Sequence, residues 1–136
     1  MTEIILEVDG FPPAKNEALS MFGEKHSHAS RVLRLLREAH TAVNKTDFHP
    51  LLGPIGLNVV VRATAEKDPW DATNYLGGIA DILQEKTNVR ISLEHLGDLS
   101  TVALYRNDRQ IREIHYRQEY GEVPAYRVRI WSLPNV

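Results

Sequence analysis

Apolar and polar positions alternate with a period of two in several short stretches and recur at helical spacing in two longer ones. Glu3 to Val8 reads as a first strand, stopped by Asp9-Gly10 and then Pro12-Pro13, and a loop follows to about Ser27. From Ala29 to Asn44, Val32, Leu35, Leu36, Ala39 and Val43 mark the apolar stripe of a helix, with Arg31, Arg34, Arg37 and Lys45 opposite. Asp47 to Gly56 is loop, punctuated by Pro50, Gly53 and Pro54. Ile55, Leu57, Val59, Val61 and Ala63 then alternate with Gly56, Asn58, Val60 and Arg62, which predicts a second strand with one core face.

Pro69 sits just ahead of a second predicted helix, about Asp71 to Lys86, after which Thr87 to Thr101 reads as irregular. Val102 to Tyr105 looks like a short strand. Ile111 to Gln118 and Tyr126 to Ser132 look like a terminal antiparallel pair joined through Gly121 and Pro124. This order predicts a single α+β domain over residues 1–136, a small mixed sheet with two main helices packed on it. There is no internal repeat, low-complexity tract or linker to divide it.

Composition narrows the chemistry. With 136 residues, 43% of them hydrophobic and 25% charged, the chain can bury a core without staples. It has no cysteine, which excludes disulfides, thiolate metal sites and a cysteine nucleophile. No apolar run approaches the roughly 20 residues of a membrane span. Acids interrupt the N-terminal segment Met1 to Val8, which is no signal peptide, so a cytoplasmic protein is expected. A net charge of −2 argues against binding nucleic acid by bulk charge alone.

The distribution of that charge is more informative than its sum. Between Arg62 and Asp98 there are four basic residues (Arg62, Lys67, Lys86, Arg90) against seven acids: Glu66, Asp68, Asp71, Asp81, Glu85, Glu94 and Asp98. From Arg106 to Arg129 six arginines face four acids. An acidic patch thus lies between a basic helix and an expected basic hairpin, an arrangement in which a polyanion rests on the flanks while the acids hold divalent metal. Solvated faces of ordinary elements give the same pattern.

The stretch from Lys67 to Leu83 carries the chemistry. Asp71, Asn74, Gly78 and Asp81 fall at i, i+3, i+7 and i+10, on one helix face bordering the apolar face of Leu76, Ile79, Ile82 and Leu83. Carboxylates there must be hydrogen-bonded, paired or bound to metal. Gly77-Gly78 costs about 1 kcal/mol per glycine inside a helix, which implies close approach of another backbone or of a ligand. Taken alone, Asp71 reads as a helix N-cap before a metal ligand, Asp68-Pro69 as a turn, and Arg106-Asn107-Asp108-Arg109-Gln110 as a turn between strands. His26, His28, His40, His49, His95 and His115 form no ligand set, and oxygen ligands favour magnesium or manganese over zinc.

In three parts and in the right order, the chain resembles the RusA-type Holliday-junction resolvases, small dimeric endonucleases. A strand runs into Phe11-Pro12-Pro13-Ala14-Lys15-Asn16, similar to the family's strand followed by Pro-Pro-x-x-Asn. The family's Asp-x-Asp-Asn-x-x-Lys-then-Asp-x-Leu pattern falls on Asp71, Thr73, Asn74, Gly77, Asp81 and Leu83, and its acid before the last hairpin falls on Asp108. Thr73 and Gly77 replace the family's second aspartate and its lysine. Such a loss weakens a magnesium site and removes a cation from the phosphate. Asp68, Asp81 or Glu66 are the acids, and Lys67 or Arg109 the cations, available to substitute.

The resemblance implies a magnesium-dependent endodeoxyribonuclease, with manganese as a substitute ion, that nicks branched DNA in recombination or repair and leaves a 5′-phosphate and a 3′-hydroxyl. Asp71, Asp108 and Asp68 are its expected metal ligands, Asp71, Asp108, Asn74 and Asp81 its catalytic set. Lys15, Arg31, Arg34, Lys67, Arg106, Arg109 and Arg112 are the expected DNA contacts. A two-fold junction implies a homodimer. Two alternatives stay open at this point: a relative that binds DNA without cleaving it, and a dimeric α+β interaction module without nuclease activity.

Overall fold

The computed structural model describes residues 2–15, 22–23, 28–64, 71–86 and 92–134. Six main elements follow one another: β1 (Glu3–Asp9), α1 (Ala29–Thr46), β2 (Ile55–Ala63), α2 (Ala72–Leu83), β3 (Ile111–Tyr120) and β4 (Ala125–Ser132). Short 3-10 turns occupy Glu94–Thr101 and Asp108–Gln110. The strands form one mixed sheet in the order β1-β4-β2-β3, and the fold is the α+β class expected.

Alternation decides which face of the sheet is dry. Ile4, Leu6 and Val8 of β1, Tyr126, Val128 and Ile130 of β4, and Ile55, Leu57, Val59 and Val61 of β2 are all buried. Val32, Leu35, Leu36 and Ala39 of α1, and Tyr75, Ile79, Ile82 and Leu83 of α2, belong to the same core. The other face is polar and laced by ion pairs: Arg127 with Glu7, Arg129 with Glu3 at 2.5 Å, and Arg62 with Glu119 at 3.7 Å. A sheet with one covered and one solvated face reads as alternating apolar and polar residues, which is why these strands were legible. α1 stops where Asp47 takes a left-handed conformation (φ 52) and its N–H bonds the Val43 carbonyl.

The expected terminal pairing needs correction. β3 and β4 do not pair with each other: β4 inserts between β1 and β2, antiparallel to both, and β3 lies parallel to β2 on its far side. Residues 121–124 cross the end of β2, about 10 Å across two strand spacings, within reach of four residues. Burial explains the choice. The fully buried side chains of β4 need neighbours on both sides, whereas β3 is exposed at most positions and suits an edge.

Two further expectations change. Val102 to Tyr105 is no strand of the sheet: Leu104 N–H bonds the Leu83 carbonyl, and Tyr105 makes isolated bridges with Leu51 and Gln84. Glu94–Thr101, expected to be irregular, forms the 3-10 turn broken at Gly97 (φ 55), while 87–91 lie outside the described residues. α2 ends at Leu83 rather than Lys86, because Gln84 turns extended (φ −85, ψ 165).

Beyond that end, Lys86 donates to the carbonyls of Val102 and Gln84 and lies over the Phe22 ring at 5.3 Å. Burial pushes its ammonium down to about 8 from 10.5. Below about pH 8 both folded and unfolded chains are protonated, and the folded one carries the cost of the charge. Between 8 and 10.5 only the unfolded chain keeps the proton, so stability rises with pH across that window. Urea unfolding from about pH 7.5 to 9.5 should show this rise, and Lys86→Met should flatten it.

Candidate active site

The Pro-Pro loop is built into the molecule rather than draped over it. Pro12, Pro13 and Ala14 are buried, and prolines suit that place because they carry no backbone N–H to satisfy. α1 clamps one side: Arg34 donates to the Asp9 carbonyl (3.0 Å), Arg31 donates to the Pro12 carbonyl (3.2 Å) and lies 5.4 Å over the Phe11 ring. The buried His28 accepts from Ala14 N–H through Nδ1 at 3.0 Å. α2 clamps the other side. Lys15 N–H bonds the Asn74 carbonyl at 3.0 Å, and a Cβ on Gly78 would stand 2.1 Å from the Pro13 carbonyl oxygen. The close approach implied by Gly77-Gly78 is therefore to another backbone.

This clamp carries the Lys15 side chain over Gly77, where a Cβ would lie 3.3 Å from Lys15 Cδ. Lys15 Nζ ends 3.2 Å from Asp81 Oδ2, with the lysine side chain 49% exposed and the aspartate 20%. Asp81 has its carboxyl pushed up by burial, held back by the Lys15 ammonium and pushed up further by the charge of Asp108. Asp108 sits on the 3-10 turn that leads into β3. Its N–H is held by Gln84 Oε1 at 3.1 Å, and Gln110 Oε1 accepts from the N–H groups of Arg106 and Asn107. Gln110 Nε2 in turn donates to the carbonyls of Leu51 and Gly53. Tyr105, buried beneath, donates its hydroxyl to the Ala80 carbonyl at 2.6 Å, and burial with the charges of Asp108 and Asp81 pushes its phenol far up.

Asp71 lies at the opposite end of α2 from Asp81. Ten residues of α2 separate it from Asp81, about 15 Å along the axis, so no single ion takes ligands from both. Asp71 is the N-cap of α2: Oδ1 accepts from Asn74 N–H and from the Thr73 hydroxyl, both at 2.9 Å. Those bonds, the Asn74 N–H first, hold its carboxyl below the usual range. The capping contribution is present above the ordinary carboxylate range and is lost as the pH falls through the lowered value. Asparagine caps as well as aspartate, so thermal melts at neutral pH should show Asp71→Asn near wild type and Asp71→Ala clearly lower. Any nicking lost in Asp71→Asn would then report chemistry rather than folding.

The remaining expected residues divide by what they touch. Asn74 joins the cap to the loop through its backbone. Arg31 and Arg34 hold the loop. Arg106 pairs with Glu85 at 3.6 Å, while Arg109 and Arg112 are exposed beside Asp108, with Arg112 Nε donating to the Arg109 carbonyl. Asp68, Lys67 and Glu66 lie outside the described residues. Among the described residues no group of three or more histidines and acids stands ready to hold an ion. None of their helices is long and apolar enough to cross a membrane.

Sequence reasoning missed the two glutamines that position Asp108. Gln110 follows Asn107 at the spacing of a capping box, and the structure closes that box, so the signal was present in Asn-Asp-Arg-Gln. Gln84 gave none, since a polar residue ending a helix reads as solvent-facing. Compared with known protein families and with curated proteins, the chain matches none of them.

Proposed function

We propose that this chain is a magnesium-dependent endodeoxyribonuclease acting on branched DNA such as a four-way junction, with its centre at Asp81, Asp108 and Lys15. The observation that carries the reading is the Asp81 carboxylate. It is partly buried, close enough to Asp108 to feel its charge, and relieved by one half-exposed ammonium at 3.2 Å. The donor set fits magnesium, which commonly takes one or two carboxylates and fills its shell with waters and substrate phosphate. When bound there, the ion polarises a phosphoryl oxygen and lowers the pKa of a water.

The chain supplies the rest. Asp81 and Asp108 would hold the ion, and the amides of Gln84 and Gln110 fix the turn that carries Asp108. Lys15 pairs with Asp81 while half exposed, so its ammonium can turn to an oxygen that gains charge during cleavage. It stands over Gly77, the position at which the resolvase family carries lysine, so the resemblance and the geometry support the same role. Arg109 and Arg112 form an exposed basic rim for backbone phosphates, which positions DNA without reading sequence. Two copies of the site serve a two-fold junction.

A second reading rests on its own observation. At the two positions matching the family's paired acids, the Asp71 carboxylate and the Thr73 hydroxyl satisfy each other within the helix cap. That favours a relative that binds DNA without cutting it. A labelled four-way junction at low salt, with and without magnesium, separates the two readings. The nuclease gives paired nicks that need magnesium and vanish in Asp108→Asn, with fewer in Lys15→Gln. Binding without nicks selects the second reading, and neither binding nor nicks removes both.

A further inference from the structure

The Asp81 carboxylate has a cation beside it in the protein as it stands. Lys15 Nζ lies 3.2 Å from Oδ2, and an ion bound by that carboxylate would share it with the ammonium. Like charges on one carboxylate repel, and more strongly where the acid is largely withdrawn from water, as Asp81 is. The ammonium is not what holds its own chain in place. Lys15 N–H bonds the Asn74 carbonyl, Ala14 N–H bonds His28 Nδ1, and Arg31 donates to the Pro12 carbonyl, so the backbone at the root of Lys15 is tied to both helices. Beyond that root the side chain passes over Gly77, which has no Cβ to grip it, and half of it is exposed. With a fixed root and a loose tip, the ammonium leaves Asp81 without disturbing the fold. A pair made by so exposed a lysine contributes little stability.

We propose that the Lys15 ammonium is the resident counter-ion of Asp81 and competes with the divalent ion for it. The free protein then binds the ion weakly, and binds it tightly once a backbone phosphate has drawn the ammonium away. This inference rests on the nuclease reading, whose ion seat it takes as given, and adds what governs the filling of that seat. Without DNA, the anion nearest the ammonium is Asp81. With DNA present, a phosphate oxygen offers the ammonium a second partner and frees Asp81 for the ion. Arg109, exposed on the same turn as Asp108, attracts that phosphate. Ion and phosphate each remove an obstacle to the other, so by linkage each strengthens the other's binding by the same factor. Lys15 thus keeps the site weakly loaded until substrate arrives.

Manganese titrated into the full chain at low salt without DNA, with the free ion counted by its paramagnetic resonance, tests the competition. Lys15→Gln removes the charge and should bind manganese roughly tenfold more tightly than wild type. Lys15→Arg keeps a cation and should stay close to wild type, while Asp81→Asn should lose the site. Adding a linear duplex, which supplies phosphates without a branch, should tighten manganese binding in wild type by more than in Lys15→Gln. Circular dichroism melts of the four proteins check that the fold is intact. A lysine that served only the fold would lower the melting temperature of Lys15→Gln and leave its manganese affinity unchanged. Binding that is lost in Asp81→Asn yet equal in wild type and Lys15→Gln would overturn the competition and leave the ion seat standing. Binding absent from every protein, or indifferent to Asp81→Asn, would overturn the ion seat and the competition with it.

Discussion

Asp81→Asn should abolish magnesium-dependent nicking while leaving the protein as stable as wild type or more so. Burial disfavours the charged form of this carboxyl, and the nearby charge of Asp108 adds to the cost. A carboxyl whose folded-state value is raised contributes stability that is complete below the unfolded value and is lost as the pH rises through the folded one. At neutral pH the folded chain bears that loss in full. Asparagine has the same shape without the charge, and Lys15, half exposed, returns its ammonium to water at little cost. The melting temperature of Asp81→Asn at pH 7 should therefore equal that of wild type or exceed it by roughly 1–4 °C. Well below the ordinary aspartate value of 3.8, where the carboxyl is protonated in the folded and the unfolded chain alike, the difference should close. Nicking of a labelled junction should fall about a hundredfold or more with the loss of an ion ligand. A variant as active as wild type would remove Asp81 from the centre. A variant that melts many degrees lower would make Asp81 a structural ion-pair residue.

The neighbouring glycines should respond in opposite directions. An alanine Cβ at position 78 would meet the Pro13 carbonyl oxygen at 2.1 Å and its carbon at 2.8 Å. That backbone is tied by Arg31, by the Ala14–His28 bond and by the Lys15–Asn74 bond, so it has no easy direction in which to yield. Gly78→Ala should cost about 3 kcal/mol and lower the melting temperature by about 10 °C. Nicking should fall with it, since Lys15 rides on the displaced loop. At position 77 the nearest atom is Lys15 Cδ at 3.3 Å, partway along a flexible side chain. There alanine gains about 1 kcal/mol of helix propensity, and Gly77→Ala should melt at or slightly above wild type. Melts of the two variants side by side decide it, because equal effects would mean that the loop does not rest on α2 at Gly78.

How much of this was legible in the sequence depended on the range of each interaction. The strands and both helices could be read because each has one dry face, and Ile4, Leu6 and Val8 or Val32, Leu35 and Leu36 record that periodicity locally. The pairing of β3 with β2 left no such record. Gly121 and Pro124 look the same whether a chain doubles back beside its previous strand or crosses over another one. The site divided in the same way. Asp81 and the glycines stood out because a carboxylate and two helix breakers on a core-bordering face conflict with local preference, and such conflicts need a tertiary cause. That cause, the Pro12-Pro13 loop delivering Lys15, joins residues more than sixty positions apart. The sequence therefore offered Lys67 and Arg109 as replacement cations on proximity alone. Asp71 illustrates the reverse: its capping role was readable from its position, and the cap is where the structure puts it.

The central claim is that the ion lies at the Asp81–Asp108 end of α2, and manganese titrated into isotope-labelled protein tests it most directly. Paramagnetic broadening should begin at the amides of Asp81, Gln84 and Asp108, spare those of Thr73 and Asn74 at the far end of the helix, and disappear in Asp81→Asn. Broadening centred on Asp71, or none at concentrations that support nicking, would contradict the account.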